Sequence, residues 1–261
     1  MRTRGRSSAP FSPCGKRGEG QRAGVLKQHP GFCPTRLLPL LLALAALASS
    51  ATAAEPVADK QADRWEPAIR AFEAKDARQP PAQNGIVFIG SSSIVGWDLK
   101  ASFPDLPVIN RGFGGSQLAD SVRYAERIVI PYRPRIVVLY AGDNDLAAGK
   151  SPRQVADDFQ AFVKKVHAAL PETRIVYIAI KPSIKRWHLI EAIREANRRI
   201  AATVQADQRL VFIDLEPVML GPDGKPRADL LKADGLHPNA ACYKLWAELL
   251  RPYLEGVRDE G

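Results

Sequence analysis

The chain is 261 residues long, with 37 basic against 28 acidic residues and a formal net charge of +9. Such a surplus would suit a nucleic-acid partner, but eight basic residues and a single acid precede Glu55, leaving 29 bases against 27 acids from Glu55 onward. Nucleic acid is thereby excluded as the favoured partner, and with Cys14 and Cys33 in the leader, Cys242 alone remains and no disulfide can close within the rest.

Residues 1–54 read as a signal peptide with a long basic n-region. Leu37–Ala48, LLPLLLALAALA, is too short an apolar run to span a bilayer, Arg36 precedes it, and Ala51-Thr52-Ala53 offers a small-residue cleavage site. A start at Val25 or Leu26 would leave an n-region of conventional length. The expectation is an exported protein, periplasmic or secreted, with no stable membrane span after cleavage. Residues 55–84 then hold an N-terminal helix (Trp65–Lys75) and a linker, and residues 85–256 one domain large enough for a full core.

The first apolar run, Ile86–Ile89, gives way abruptly to Gly90 and three serines. Further strand candidates are Pro107–Ile109, Ile136–Tyr140, Ile175–Ile180 and Leu210–Ile213, continuous and rich in Val and Ile, as when both sheet faces are covered. Helices are expected at Gln117–Ile130, Pro152–Ala169, His188–Ala206 and Ala240–Leu254, where apolar residues recur every three to four positions. Ser151 can cap the second of these, and Pro152 suits its first position. Cys242, inside the last, reads as a small core residue. Strand–helix alternation predicts an α/β protein, a three-layer α/β/α sandwich on a five-stranded parallel sheet. Ligands of such sheets bind beyond the carboxyl ends of the strands.

Four stretches there carry chemistry: GSSS (Gly90–Ser93), NRGFGGS (Asn110–Ser116), AGDND (Ala141–Asp145) and, late in the chain, DGLHP (Asp234–Pro238). Acyl transfer needs a nucleophilic hydroxyl, a base, a group that orients the base, and donors aimed at the oxygen that becomes negative. Serine supplies the hydroxyl, a glycine-rich turn exposes backbone N–H groups, and asparagine adds a neutral donor. Asp234 and His237, three apart, can share one side of a tight turn, so that the carboxylate holds the imidazole in its useful tautomer. Each stretch alone has a blander reading as a turn, a flexible loop or a helix cap. Their joint occurrence at successive strand ends outweighs those readings. The other histidines lie in the leader (His29) or in helical segments (His167, His188). No His or Cys cluster has metal-ligand spacing, and no cofactor is expected. AGKSP, Ala148–Pro152, ends like a phosphate-binding loop, but Asn144 stands where that loop needs glycine.

Over nearly all of Gly85 to Leu254 these motifs, in this order, resemble the SGNH hydrolases, also called the GDSL family of esterases and lipases. The resemblance implies a flavodoxin-like sheet and the following roles. Ser92, third in Gly90-Ser91-Ser92, is the nucleophile, and the spacing to Gly96-Trp97 also suits it. Gly115 donates its backbone N–H, beside that of Ser92, to the oxyanion; Asn144 of Gly142-Asp143-Asn144-Asp145 donates its amide; Asp234 and His237 complete the catalytic set. Where the family name has aspartate, this chain has Ser91.

The expected partner is a small-molecule ester. Family members act on acetylated sugars, lysophospholipids and simple short-chain esters, and the absence of a long apolar lid insertion favours small acyl groups. Arg111, Lys181, Arg186 and Trp187 are expected at a cationic and aromatic substrate rim. A rival reading is a non-catalytic exported protein that binds a glycan or acyl ligand on the same fold; such a protein would be expected to lose Ser92, His237 or Asn144, and all three are present.

Overall fold

The structure, a computed structural model, describes residues 64–255. The export segment expected at residues 1–54 lies outside the described residues. Five strands, β1 (Ile86–Gly90), β2 (Val108–Gly112), β3 (Ile136–Tyr140), β4 (Arg174–Ile178) and β5 (Leu210–Ile213), form one sheet. Every pairing is parallel and the order is β2-β1-β3-β4-β5. This is the flavodoxin-like order, in which the strand sequence reverses between β1 and β3 and opens a crevice at their carboxyl ends.

Helices cover both faces. Along the strands side chains alternate, so Val87, Ile89, Val137 and Leu139 join one apolar cluster while Ile86, Phe88, Val138 and Tyr140 join the other. The first cluster is closed by α1 (Glu66–Arg78), α4 (Leu118–Ile128), α6 (Pro152–Ala169) and α7 (Ile190–Gln205). The second is closed by the short α2 (Ser92–Val95), α3 (Leu99–Ser102) and α8 (Glu216–Met219), and by α9 (Ala240–Glu255). A further short helix, α5 (Asp143–Ala147), follows β3. The expected α/β/α sandwich is thus the observed one. Among the described residues no helix is long and apolar enough to cross a membrane.

Boundaries follow local chemistry. Ser151 and Gln154 exchange side-chain and backbone hydrogen bonds at the start of α6, whose limits are those expected. The second strand is later than expected: Asn110 and Arg111 belong to β2, paired in register with Phe88 and Ile89. Asn110 stays in the strand because its side chain serves the backbone, donating to the Ile94 carbonyl at 2.6 Å and accepting from Gly112 N–H at 2.9 Å. β4 ends at Ile178 rather than Ile180, and α7 begins at Ile190, after a 3-10 turn at Trp187–Leu189.

Candidate active site

The carboxyl ends of β1, β2 and β3 each release one of the expected loops into the crevice. Gly90 makes the first exit possible. Its φ is +142°, and a Cβ there would lie 1.9 Å from the Tyr140 carbonyl oxygen, the same oxygen that accepts from Ser91 N–H at 3.0 Å. The chain then turns into α2, leaving three serines in different surroundings. Ser91 is fully buried, and its hydroxyl is buried without a hydrogen-bond partner. Ser93 is buried, and its carbonyl accepts from the Tyr243 hydroxyl at 2.8 Å. Ser92 alone of the three is half-buried, and its hydroxyl meets a ring nitrogen of His237.

That hydroxyl lies 2.9 Å from His237 Nε2, across 145 positions of sequence. Nδ1 of the same ring donates to Asp234 Oδ2 at 2.5 Å. A carboxylate only accepts, so Nδ1 carries the proton and Nε2 of the neutral ring is left to accept from Ser92. Asp234 Oδ1 meanwhile accepts from the backbone N–H groups of Leu236 and His237, each at 2.9 Å. The imidazole first, then these two amides, hold the Asp234 carboxyl well below the usual carboxylate range.

Packing keeps the two halves together. Trp97, just beyond α2, stacks on Tyr243 of α9 at 5.3 Å between centroids and meets Trp246 edge-on at 5.6 Å. Aromatic pairs of this kind are worth roughly 0.5–1.5 kcal/mol beyond their buried area. They tie the turn carrying Ser92 to the helix that follows His237. A groove of about 550 Å³ lies beside this junction, bordered by Gly96, Trp97, Lys232, Pro238 and Tyr243.

The three donors expected from the sequence have these settings. Ser92 is the first residue of α2, so its N–H has no partner within the helix. Gly115 sits in a turn with φ +78°, and a Cβ would stand 3.0 Å from the Arg64 guanidinium. Asn144 of α5 donates one amide hydrogen to the Ser116 carbonyl at 2.9 Å and is only partly buried. Asp145, the next residue, is fully buried; its carboxylate accepts from Leu118 N–H and from Lys150, 3.0 Å away. Burial pushes its pKa up against the pull of Lys150. It anchors the far end of the loop that carries Gly115.

The structure corrects the expected rim. Arg111 is 4% exposed and Lys181 1%, so neither lines a substrate edge. Arg111 is drawn inward by Asp76, at 2.5 Å, and by the Tyr132 hydroxyl, at 2.9 Å. Lys181 donates to the Tyr140 hydroxyl at 2.9 Å beneath α5. Arg186 points inward too, at Asn144 and Asp143. Trp187 is partly exposed, with Lys225 over its ring at 5.1 Å. Two supports escaped the sequence reading. Trp65 donates its indole N–H to the Gly114 carbonyl, and Asp145 is the last residue of a motif read only for its asparagine. The carboxylate beside the donor was the available signal for the second; Trp65 offered none. Cys242 is buried and its thiol pushed up to about 12, and among the described residues no group of three His, Cys, Asp or Glu could hold a metal ion.

A family model described as GDSL-like Lipase/Acylhydrolase family matches residues 89–245. The esterase TesA of Pseudomonas aeruginosa is 23% identical over 151 residues, 58% of this chain and 71% of that protein. A GDSL-like lipase structure from Bacteroides thetaiotaomicron superposes with a TM-score of 0.63 at 19% identity, over 72% of this chain and 97% of that one. A carbohydrate esterase family 3 structure from Talaromyces cellulolyticus gives 0.52 at 20% identity, over 65% and 95%. The two structures share the fold with this chain; the family match carries more, because it spans over half of the sequence and all four loops that hold the candidate site residues. The chain belongs to the GDSL-like lipase/acylhydrolase family and is an ester-hydrolysing enzyme.

Proposed function

We propose that the protein is a serine esterase for short-acyl or acetyl esters of small soluble alcohols, carbohydrates among them, working through an acyl-enzyme on Ser92. One observation carries the reading: the continuous relay from Ser92 Oγ through His237 to Asp234, with contacts of 2.9 and 2.5 Å. As Ser92 Oγ attacks the ester carbonyl carbon, His237 Nε2 takes the hydroxyl proton and Asp234 offsets the charge that forms on the ring. The carbonyl electron pair moves onto its oxygen, which the N–H groups of Ser92, Gly115 and Asn144 stabilise. Collapse of this intermediate breaks the bond to the alcohol, which leaves with the proton from His237. Water then attacks the acyl-Ser92 carbonyl, with His237 again as base, and the carboxylic acid departs.

Among the described residues, Val95 and Ile184 are two of the few large apolar residues left exposed, and they support a modest acyl contact rather than a deep channel. Val95 lies one turn beyond Ser92 in α2, and Ile184 rests against Gly235, inside the Asp234–His237 turn. Export to the periplasm or the medium belongs to the same reading and rests on the leader's sequence pattern. The test is labelling with a fluorophosphonate probe, followed by a panel of acetyl to decanoyl aryl esters beside acetylated xylan, with Ser92→Ala as the control. The expected outcome is labelling that depends on Ser92 and turnover that falls with acyl length. A protein that binds these esters without labelling or turnover would be the binding protein of the rival reading.

A further inference from the structure

The Asn144 carboxamide is gripped at both ends. Its nitrogen donates to the Ser116 carbonyl at 2.9 Å, and its oxygen accepts from Arg186 Nη2 at 2.8 Å. A guanidinium has only donors and a carbonyl only acceptors. A flipped amide would therefore face NH₂ against guanidinium and carbonyl against carbonyl, two repulsive contacts in place of two attractive ones. With the flip fixed, one amide hydrogen is spent on Ser116 and the other is left for the crevice.

Arg186 is itself held. Its other terminal nitrogen lies 2.9 Å from Asp143 Oδ2, and its side chain is 15% exposed. Lys181, 1% exposed, reaches the same carboxylate oxygen at 3.4 Å. Two cations thus share the buried carboxylate of the residue next to the donor, an excess of one positive charge. In a region of low effective dielectric such an excess polarises the amide and favours negative charge on its far side. The neighbouring residue, Lys185, donates its backbone N–H to the Gly235 carbonyl at 3.0 Å. Residues 185 and 186 therefore clip the His237 turn and the Asn144 helix to one loop.

We propose that Arg186 is a positioning residue for the oxyanion donor, fixing the orientation of the Asn144 amide and polarising it, rather than a contact for substrate. The proposal rests on the esterase reading above. It predicts a defect in turnover, not in binding, and one that exists only while Asn144 is present.

The experiment is steady-state kinetics on the full chain with an aryl acetate, in a cycle of Arg186→Met, Asn144→Ala and the double variant. Arg186→Met is expected to lower kcat by about 10- to 100-fold, a portion of what losing an oxyanion donor costs, with KM moving less than about threefold. In the Asn144→Ala background the same change is expected to add no further loss. Normal kcat in folded Arg186→Met would overturn the proposal, as would a raised KM at unchanged kcat or losses that multiply independently of Asn144. If Arg186→Met does not fold by circular dichroism, Arg186→Lys decides. It keeps a charge toward Asp143 but offers a point rather than a fork, and wild-type turnover in it would equally overturn the idea. Failure of the esterase reading is seen separately, as undiminished turnover by Ser92→Ala.

Discussion

Trp65 donates its indole N–H to the carbonyl oxygen of Gly114 at 2.9 Å, across 49 positions of sequence. The peptide between Gly114 and Gly115 is planar and trans, so its carbonyl and its N–H point in opposite directions. Holding the carbonyl therefore fixes the orientation of the Gly115 N–H, one of the proposed oxyanion donors. Trp65 is 3% exposed and meets Phe113 edge-on at 6.0 Å, so the indole that makes this bond is fixed by packing. The segment before the first strand thus takes part in shaping the site.

Trp65→Phe removes the N–H while keeping most of the ring. One neutral hydrogen bond is worth about 1 kcal/mol, so kcat is expected to fall by roughly fivefold to tenfold with KM nearly constant. Parallel kinetics and thermal melts check this. A lower Tm with unchanged kcat would assign Trp65 to packing alone.

What the sequence made legible depends on how local the deciding contacts are. β3, β5 and α6 have the limits expected from it, because a charged residue stops each strand's apolar run on at least one side (Arg135 before β3, Arg209 and Asp214 around β5) and Ser151 caps α6. Asp234 and His237 sit three apart, so their contact is a property of one turn. The rim was illegible for the opposite reason. A charged residue is buried or exposed according to partners elsewhere, and those of Arg111 and Lys181 lie 35 and 41 positions away, at Asp76 and Tyr140. Asn110 and Arg111 likewise looked like loop because nothing local shows that an edge strand can satisfy them through Ile94, Tyr132 and Asp76.

The Arg111 correction has a measurable consequence. Asp76 accepts from both the Arg111 guanidinium and the Tyr132 hydroxyl, and the Arg111 side chain is 5% exposed. Asp76→Ala leaves a buried guanidinium without its counter-charge, which typically costs roughly 3–5 kcal/mol. Urea unfolding should register that loss while kcat and KM on aryl esters stay at wild-type values. A raised KM at unchanged stability would return Arg111 to the substrate.

Asp234 sets the pH behaviour. Its folded pKa is depressed, chiefly by the His237 hydrogen bond, so its contribution is fully present above the unfolded carboxylate value of about 4 and is lost only as pH falls through the lower folded value. Above about pH 4 the carboxylate is therefore a constant charge. Between about pH 4 and neutrality Asp234 should then contribute nothing to the pH dependence of kcat/KM. Asp234→Asn can still accept the turn's backbone bonds but no longer fixes the imidazole tautomer. It is expected to cost on the order of 10³–10⁴ in kcat. An Asp234 carboxyl carbon whose NMR shift titrates above about pH 4 in the wild type would contradict this.

The three consecutive serines give the sharpest contrast available by single substitutions. Ser91 occupies the position of the family's aspartate, yet its hydroxyl is buried without a partner. Removing an unsatisfied buried hydroxyl is close to neutral, so Ser91→Ala should change stability by no more than about 1 kcal/mol and keep its turnover. Ser93 is held through its carbonyl by Tyr243, a bond that survives truncation of the side chain, so Ser93→Ala should also label with fluorophosphonate. Ser92 is the one whose hydroxyl meets His237 Nε2, at 2.9 Å. Ser92→Ala should lose both labelling and turnover while melting like the wild type. Labelling of all three variants side by side, with mass-spectrometric mapping of the adduct, checks the set; an adduct on Ser93 would move the nucleophile one residue along the chain and leave the 2.9 Å contact without a catalytic role.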